Sequence, residues 1–180
     1  INGDDSQDDD VIVDTTVQEK NITFPTDSKL HKKIIKKCWA IAAENELKIR
    51  QSYRKTLKKL SVDQRFRNHP KNKSKARKAD KKIKTIAGRL VRELERLLPG
   101  DDKHREVLAL FQKILSQKKN DKDKIYSIHE SETKCISKGK EHKQYEFGNK
   151  VSIAKTKSGV IVGAKGFRNE FDGHTLEPAL

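Results

Sequence analysis

The chain has 180 residues, of which 41 are Lys or Arg and 26 are Asp or Glu, so its formal net charge is +15. Only 33% of the residues are apolar, and adding the 9 glycines still leaves the chain below the roughly 45–50% typical of a soluble domain. No stretch approaches the ~18 consecutive apolar residues of a membrane span, so the composition excludes a transmembrane protein and favours a nucleic-acid partner.

The charge is unevenly distributed along the chain, which indicates three segments. Residues 1–30 carry two basic and eight acidic residues, and residues 31–98 carry 23 basic and six acidic ones. Residues 99–180 carry 16 basic and 12 acidic residues. The excess of positive charge therefore belongs to the middle segment.

Cysteine usage and the first residues bear on the compartment and on the extent of the chain. Cys38 and Cys135 lie far apart and make no disulfide framework, which favours a reduced, cytoplasmic setting. No apolar h-region follows Ile1, so we expect no secretory signal. Because the chain starts at Ile1 and contains no methionine, we expect it to be an internal or truncated piece of a longer protein.

The chain opens with a polar stretch and then a short apolar run. Residues 1–10 are acidic without apolar periodicity, which predicts a flexible tail. Residues 11–17 are rich in β-branched side chains, which predicts a buried strand, and residues 21–25 predict an extended piece that ends at proline. We assign residues 11–29, with Asp14, to the first core strand or strands.

Four helical stripes follow, and together they predict a basic helical segment over residues 30–119. The first stripe begins after Thr26 or Asp27, either of which is a plausible N-cap. The second ends near residues 68–70, and the third is stopped by Pro99 and Gly100. One apolar face on each helix predicts a bundle or a pair of antiparallel hairpins. The stripes are Leu30, Ile34, Cys38, Ile41 and Ala42; Tyr53, Leu57 and Leu60; Ala79, Ile83, Ile86, Leu90, Leu94 and Leu97; and Val107, Leu110, Phe111, Ile114 and Leu115.

Short strands are predicted after residue 120. Candidates are residues 125–128, 133–137, 145–156 and 159–165, with hairpin chemistry at residues 157–159. A further element begins near Asp172. A strand, inserted helices and then antiparallel strands predict an α+β fold, not an alternating βαβ array.

Asp14 is the most informative single residue, and the strand pattern leaves two interpretations open. A carboxylate at the end of a buried strand is a typical Mg²⁺ ligand in phosphoryl-transfer folds. Alternatively, Asp14 hydrogen-bonds within its own turn, next to Thr15 and Thr16. A phosphate-binding G-x-x-x-x-G-K-[ST] motif is absent, and the sequence offers no obvious second carboxylate for a two-metal site.

The densest basic stretch, residues 71–84, also has two interpretations. Such density on a helix suits neutralisation of phosphates with release of counterions. The alternative is a solvated helix face. The excess charge of the middle segment favours nucleic acid, although phosphate contacts carry no base specificity. The candidate DNA-binding residues here are Lys71, Lys73, Lys75, Arg77, Lys78, Lys81, Lys82 and Lys84.

Several long strings resemble bacterial insertion-sequence transposases, more narrowly the insertion-sequence-five family of DDE transposases. The resemblance runs from about residue 11 to residue 180. It is carried by VDTTVQEKNITFPTDSKL, RQSYRKTLKKL, RFRNHPKNKSKARKADKK, TIAGRLVRELERLLPG, KIYSIHESETKCISKGKEHKQYEFGNKVSI and GFRNEFDGHTLEPAL.

The resemblance implies a ribonuclease-H-like core interrupted by a large helical insertion. Its first strand would end at Asp14, the first of three metal-binding carboxylates, and the helices of residues 30–119 would form the insertion. The core would resume within residues 120–180, with a hairpin and the start of a helix. The second aspartate and the glutamate would follow residue 180, so we expect this chain alone to be inactive.

The activity implied is metal-dependent cleavage and strand transfer of transposon ends during DNA transposition. Asp14 would be catalytic and would ligate Mg²⁺ or Mn²⁺. The basic residues of the insertion, together with Lys138 and Lys140, would hold transposon-end and target DNA, with a homodimer in the synaptic complex. The protein would be cytoplasmic and nucleoid-associated when bound to DNA. The alternative is a non-enzymatic basic remnant of a decayed or split element that binds nucleic acid.

Overall fold

The computed structural model describes residues 11–138, 141–142 and 144–167. In this part of the chain it has the order β1 (Val11–Glu19), α1 (Asp27–Glu44), α2 (Arg54–Asp63), α3 (Pro70–Leu97), α4 (Asp102–Ser116), β2 (Lys134–Ser137), β3 (Tyr145–Thr156) and β4 (Ile161–Phe167). The four helices and one antiparallel sheet confirm the predicted α+β class. The tail predicted at residues 1–10 and the element near Asp172 lie outside the described residues.

The chain divides into two compact units. The sheet unit comprises the described residues up to 23 and from 130 onward, and the helical unit comprises residues 24–129. The helical unit is therefore inserted, along the chain, between β1 and the other strands. Its boundaries extend a few residues beyond the predicted segment 30–119. Within the described residues, no helix combines the length and the apolar character that crossing a membrane requires.

β3 is the central strand of the sheet unit. β1 pairs with it antiparallel along one edge, from Val11 opposite Thr156 to Glu19 opposite Gly148. β2 and β4 share its other edge, β2 near the start of β3 and β4 near its end. The first apolar run therefore pairs with β3, the first strand of the later hairpin.

The hairpin between β3 and β4 forms where turn chemistry predicted it. Gly159 has a φ of +89°, a left-handed conformation that glycine adopts without a steric penalty. Its N–H donates to the carbonyl of Thr156 at 2.9 Å, and the N–H of Thr156 donates to the carbonyl of Val160 at 2.9 Å. These bonds close the turn. β4 consequently begins two residues later than predicted.

Two strand predictions were wrong. β1 is not a buried strand, because Val13, Thr15 and Val17 are half-buried while the alternate residues are exposed. Residues 125–128 form no strand. The N–H of Ile125 instead donates to the side-chain oxygen of Gln117 at 3.0 Å, and the Ile125 side chain joins the core of the helical unit. A short apolar run cannot distinguish a strand from a connection that packs on helices.

α1 and α3 supply most of the core of the helical unit, as the stripes predicted. Apolar side chains recur every three or four residues, so they lie along one side of each helix. α1 begins after Thr26, whose hydroxyl accepts the N–H of Lys29 at 3.2 Å. Pro70 sits in the first turn of α3, and α3 ends before Pro99, since proline suits a helix start but not its continuation. The fully buried side chains of the helical unit include Ile34, Ile35, Cys38, Ile83, Ile86, Ala87, Leu90, Val91, Leu94, Phe111 and Ile114.

α2 and α4 complete the helical unit. α2 ends at Asp63, earlier than predicted, and buries Leu57. α4 begins after Asp101, whose carboxylate accepts the N–H of Lys103 at 2.9 Å and contacts Nδ1 of His104 at 2.6 Å. This cap satisfies a backbone donor that the first helical turn leaves free.

His31 is a buried titratable group within the helical unit. Burial, and secondarily the positive charge of Lys84, lower its pKa from 6.5 to about 4. Lys124 acts in the same direction, while Asp27 and Asp80 act in the opposite one. Between pH 4 and pH 6.5, His31 is therefore neutral in the folded protein and protonated in the unfolded chain.

We expect His31 to make the helical unit less stable in mild acid. His31 takes up a proton near pH 6.5 in the unfolded chain but only near pH 4 in the folded chain. Its contribution to the free energy of unfolding is therefore fully present above pH 6.5. Between pH 6.5 and pH 4 the free energy of unfolding falls by about 3 kcal/mol. Urea denaturation of wild type and His31→Gln between pH 4 and pH 8 measures the difference. An equally steep pH dependence in both proteins would contradict this assignment.

Gly148 is required for the pairing of β1 with β3. A Cβ on Gly148 would lie 2.0 Å from the backbone oxygen of Gln18, so the two strands could not keep their separation. We expect Gly148→Ala to lower the free energy of unfolding of the sheet unit by about 1–3 kcal/mol or more and to speed amide exchange in β1.

Gly166→Ala is the matched control, because a Cβ at Gly166 meets nothing within 4 Å. Amide hydrogen exchange read over residues 11–19 reports on both variants. Equal protection in Gly148→Ala and Gly166→Ala would show that β1 does not approach β3 in this register.

Candidate nucleic-acid interface

α3 combines a buried apolar side with an exposed basic side. At 3.6 residues per turn, Ala76, Ala79 and Ile83 lie on one side of the helix, and all three are buried. The eight basic residues predicted to bind DNA all lie elsewhere on the helix circumference and are all exposed. The apolar spacing thus determines which side of α3 carries the charge.

The eight basic residues of α3 form two rows. Side chains three or four positions apart are neighbours on a helix surface. The first row is Lys71, Lys75, Lys78 and Lys82, and the second row is Lys73, Arg77, Lys81 and Lys84. From Lys71 to Lys84 the helix rises about 20 Å, so the rows present charge over a length comparable with about six base pairs of duplex DNA.

Carboxylates neutralise part of this surface. Nζ of Lys75 lies 3.0 Å from the carboxylate of Asp63. Asp80, on α3 itself, accepts from the guanidinium of Arg67 at 2.6 Å and from the side-chain amide of Gln64. Lys75 therefore has a protein partner that DNA would have to replace, whereas Lys78 and Lys82 have no ion pair within the described part of the chain.

Sequence reasoning missed a group of arginines beyond residue 84. Arg89 lies seven positions, or about two turns, after Lys82 and so continues the first row. Arg92 and Arg96 follow on the same side, and all three are exposed. The spacing could have identified them, since the row continues past the dense run. They line a cleft together with Arg50, Gln51, Tyr53 and Glu93.

The last two candidate DNA-binding residues follow the helical unit in the sequence. Lys138 belongs to the sheet unit and follows β2, with its Nζ 3.9 Å from the carboxylate of Glu146. Lys140 lies outside the described residues. The interface described here therefore consists of the rows on α3.

Asp14 lies in the middle of β1, not at its end, because β1 continues to Glu19. This corrects the expectation that a carboxylate terminates the first strand. Asp14 is exposed and stands opposite Ile153 of β3. Its neighbour Thr15 points to the other side of the sheet, where its hydroxyl lies 3.4 Å from that of Ser152. Asp14 is thus in extended backbone, which also removes the alternative that it bonds within its own turn.

The described residues do not by themselves fit a divalent metal ion at Asp14. Among them, no group of three or more His, Cys, Asp or Glu side chains converges. Mg²⁺ retains its waters unless several oxygen ligands hold it, and Asp14 provides one carboxylate. In the described part of the chain Asp14 is therefore a single exposed carboxylate on a paired strand.

The chain was compared with known proteins. No protein-family model, no curated protein and no solved structure matches it.

The rows on α3 predict a specific effect on the salt dependence of DNA binding. Replacing Lys78, Lys81 and Lys82 together by glutamine removes up to three phosphate contacts while keeping residues that favour a helix. Since the slope of log K against log salt is about −0.9 per contact, we expect it to flatten by about 2–3. Fluorescence anisotropy of a labelled duplex at several salt concentrations measures the slope.

Lys118→Gln/Lys119→Gln/Lys122→Gln is the matched control, because it removes the same charge from exposed lysines outside α3. Its slope should stay within about one unit of wild type. Equal flattening in both triple variants would mean that DNA responds only to total charge, and an unchanged slope in the α3 variant would exclude these rows as the interface.

Proposed function

We propose that this chain is part of a DDE-type DNA transposase, with Asp14 as its first catalytic carboxylate. The observation that carries the proposal is the pairing of β1, which bears Asp14, with the β3–β4 hairpin. The helical unit lies between these strands in the sequence. A first strand with an aspartate, a helical insertion and a hairpin that rejoins it is the arrangement that the family resemblance implies, with a ribonuclease-H-like core.

The helical unit supports the DNA-binding part of this function. Its longest helix, α3, carries two exposed basic rows, and lysine rows of this kind neutralise phosphates without reading sequence. In this proposal α3 holds the backbone of transposon-end or target DNA. The enzyme acts in the cytoplasm at the nucleoid, with a homodimer bringing two ends together.

Asp14 contributes an accessible negative charge at a fixed position. Pairing along the full length of β1 holds its backbone, so the carboxylate direction is set by the strand and not by a loop. Mg²⁺ or Mn²⁺ is the cofactor that the resemblance implies. The resemblance also implies two further carboxylate ligands, and among the described residues no group of three such side chains forms.

A non-enzymatic nucleic-acid-binding function is the second candidate. It is favoured by the fact that the basic rows of α3 require neither Asp14 nor any cluster of carboxylates. In this case the chain binds DNA through α3 and has no cleavage activity in any longer form.

The substitution Asp14→Asn separates the two functions. In the longest reading frame that contains this chain, we expect Asp14→Asn to abolish nicking of a plasmid that carries the element's ends, in Mg²⁺ or Mn²⁺ buffer. Duplex affinity should change less than about threefold, because Asp14 is exposed and its replacement has nearly the same shape. Gel assays of nicking and anisotropy of binding measure the two effects.

Glu106→Gln is the control, since it removes one exposed carboxylate from α4 and should nick like wild type. An active Asp14→Asn protein would remove Asp14 from the mechanism. Binding without nicking by the wild-type protein would favour the non-enzymatic function.

A further inference from the structure

A cleft of about 400 Å³ lies beside the C-terminal half of α3. One wall is the segment that precedes α2, and the other is α3 itself. Four arginines and one glutamate are its charged residues, so positive charge exceeds negative charge by three. The lining residues are Arg50, Gln51, Tyr53, Arg89, Arg92, Glu93 and Arg96.

The wall that precedes α2 is held in place by specific contacts. The indole N–H of Trp39 donates to the carbonyl of Ser52 at 2.8 Å, and the Arg54 guanidinium lies 4.8 Å from the centre of the Trp39 ring. Leu47 and Ile49 pack against the core of the helical unit. The segment therefore enters the cleft in a defined conformation.

Two further contacts join this wall to α3. The N–H of Arg50 donates to the carboxylate of Glu93 at 2.5 Å. The phenolic oxygen of Tyr53 accepts a hydrogen bond from Nη1 of Arg89 at 3.4 Å. The backbone of Tyr53 is left-handed, with a φ of +56°. The cleft is thus built between ordered walls, which lowers the entropic cost of binding a ligand there.

The positive charge in the cleft is largely uncompensated. The single carboxylate, that of Glu93, accepts a backbone N–H. Among the described residues, the guanidinium groups of Arg50, Arg92 and Arg96 have no carboxylate within ion-pair distance. Planar guanidinium groups bind phosphate oxygens through paired N–H donors, and several of them around one cleft offer donors to both non-bridging oxygens of a phosphodiester.

We propose that this cleft binds a backbone phosphate of a DNA strand that follows the first row of α3. Arg89 lies about 10 Å along the helix from Lys82, so the row of Lys71, Lys75, Lys78 and Lys82 leads directly into the cleft. The polar lining, with Tyr53 as its one aromatic side chain, differs from the predominantly apolar lining of small-molecule pockets. This inference rests on the proposed binding of DNA by α3.

The substitution pair Arg92→Gln/Arg96→Gln tests the cleft. Both side chains are exposed and glutamine is a good helix former, so the fold should persist. We expect about tenfold weaker binding of a fluorescein-labelled duplex, because two charge-assisted contacts are lost. Arg50→Gln, on the opposite wall, should weaken binding in the same direction. It serves as the second variant if the pair fails to fold.

Arg105→Gln/Lys113→Gln on α4 is the matched control, since it removes two exposed charges outside the cleft and should weaken binding less than threefold. Equal losses in the two pairs, or full affinity in the cleft pair, would overturn the cleft as a phosphate site on DNA. Absence of duplex binding by wild type would instead contradict the proposed function itself.

Competition with inorganic phosphate distinguishes a DNA backbone phosphate from free phosphate as the ligand of the cleft. At constant ionic strength we expect phosphate to compete with the duplex for wild type more strongly than for Arg92→Gln/Arg96→Gln. If phosphate raised the Tm of wild type but not of the cleft pair, while both bound the duplex equally, the cleft would be assigned to free phosphate and the DNA proposal would be overturned.

Discussion

The pairing of β1 with β3 is the interaction on which the sheet unit depends. It joins residues 11–19 to residues 148–156, across the whole helical unit in the sequence. Closing a flexible loop of this length costs about 4 kcal/mol, and this cost grows only logarithmically with loop length. A nine-residue antiparallel register can offset that cost. Without it, β1 would be a lone strand with no partner, and Asp14 would have no fixed position relative to the hairpin.

In the helical unit, one helix combines structural and binding roles. The apolar side of α3 packs on α1, α2 and α4, and this packing orients the remaining circumference outward. The spacing of the apolar residues therefore determines which positions of α3 are exposed, and the basic rows occupy those positions. The ordered segment before α2 adds the wall of the arginine cleft, because Trp39 and Glu93 hold its backbone.

Local chemistry made most of the fold predictable from the sequence. The Thr26 cap, the stop at Pro99 and Gly100, and the turn at residues 157–159 each encode a boundary through backbone geometry. Pairing of the apolar run at residues 11–17 with later strands was predictable because an apolar strand needs a sheet. Residues 125–128 were assigned wrongly because their apolar side chains pack on helices, a tertiary effect that periodicity does not encode.

The candidate sites were less predictable than the fold. The density of basic residues along the chain was enough to select residues 71–84 as a candidate interface, but the pairing of Lys75 with Asp63 joins two helices and is not visible in either one. The arginine cleft needed the conformation of the segment at Arg50, which contacts α3 from 43 positions away. Asp14 was selected as a candidate from the strand pattern, and its role stays a prediction. Its position in mid-strand depends on how far pairing continues along β3.

Nuclear Overhauser effects between backbone protons measure the register of β1 on β3. With uniformly labelled protein, we expect cross-strand contacts between Val13 and Ala154, between Thr15 and Ser152, and between Val17 and Lys150. Amides of β1 that pair with β3 should exchange slowly. Contacts shifted by one or more residues, helical contacts within residues 11–19, or the absence of any contact with β3 would contradict this register.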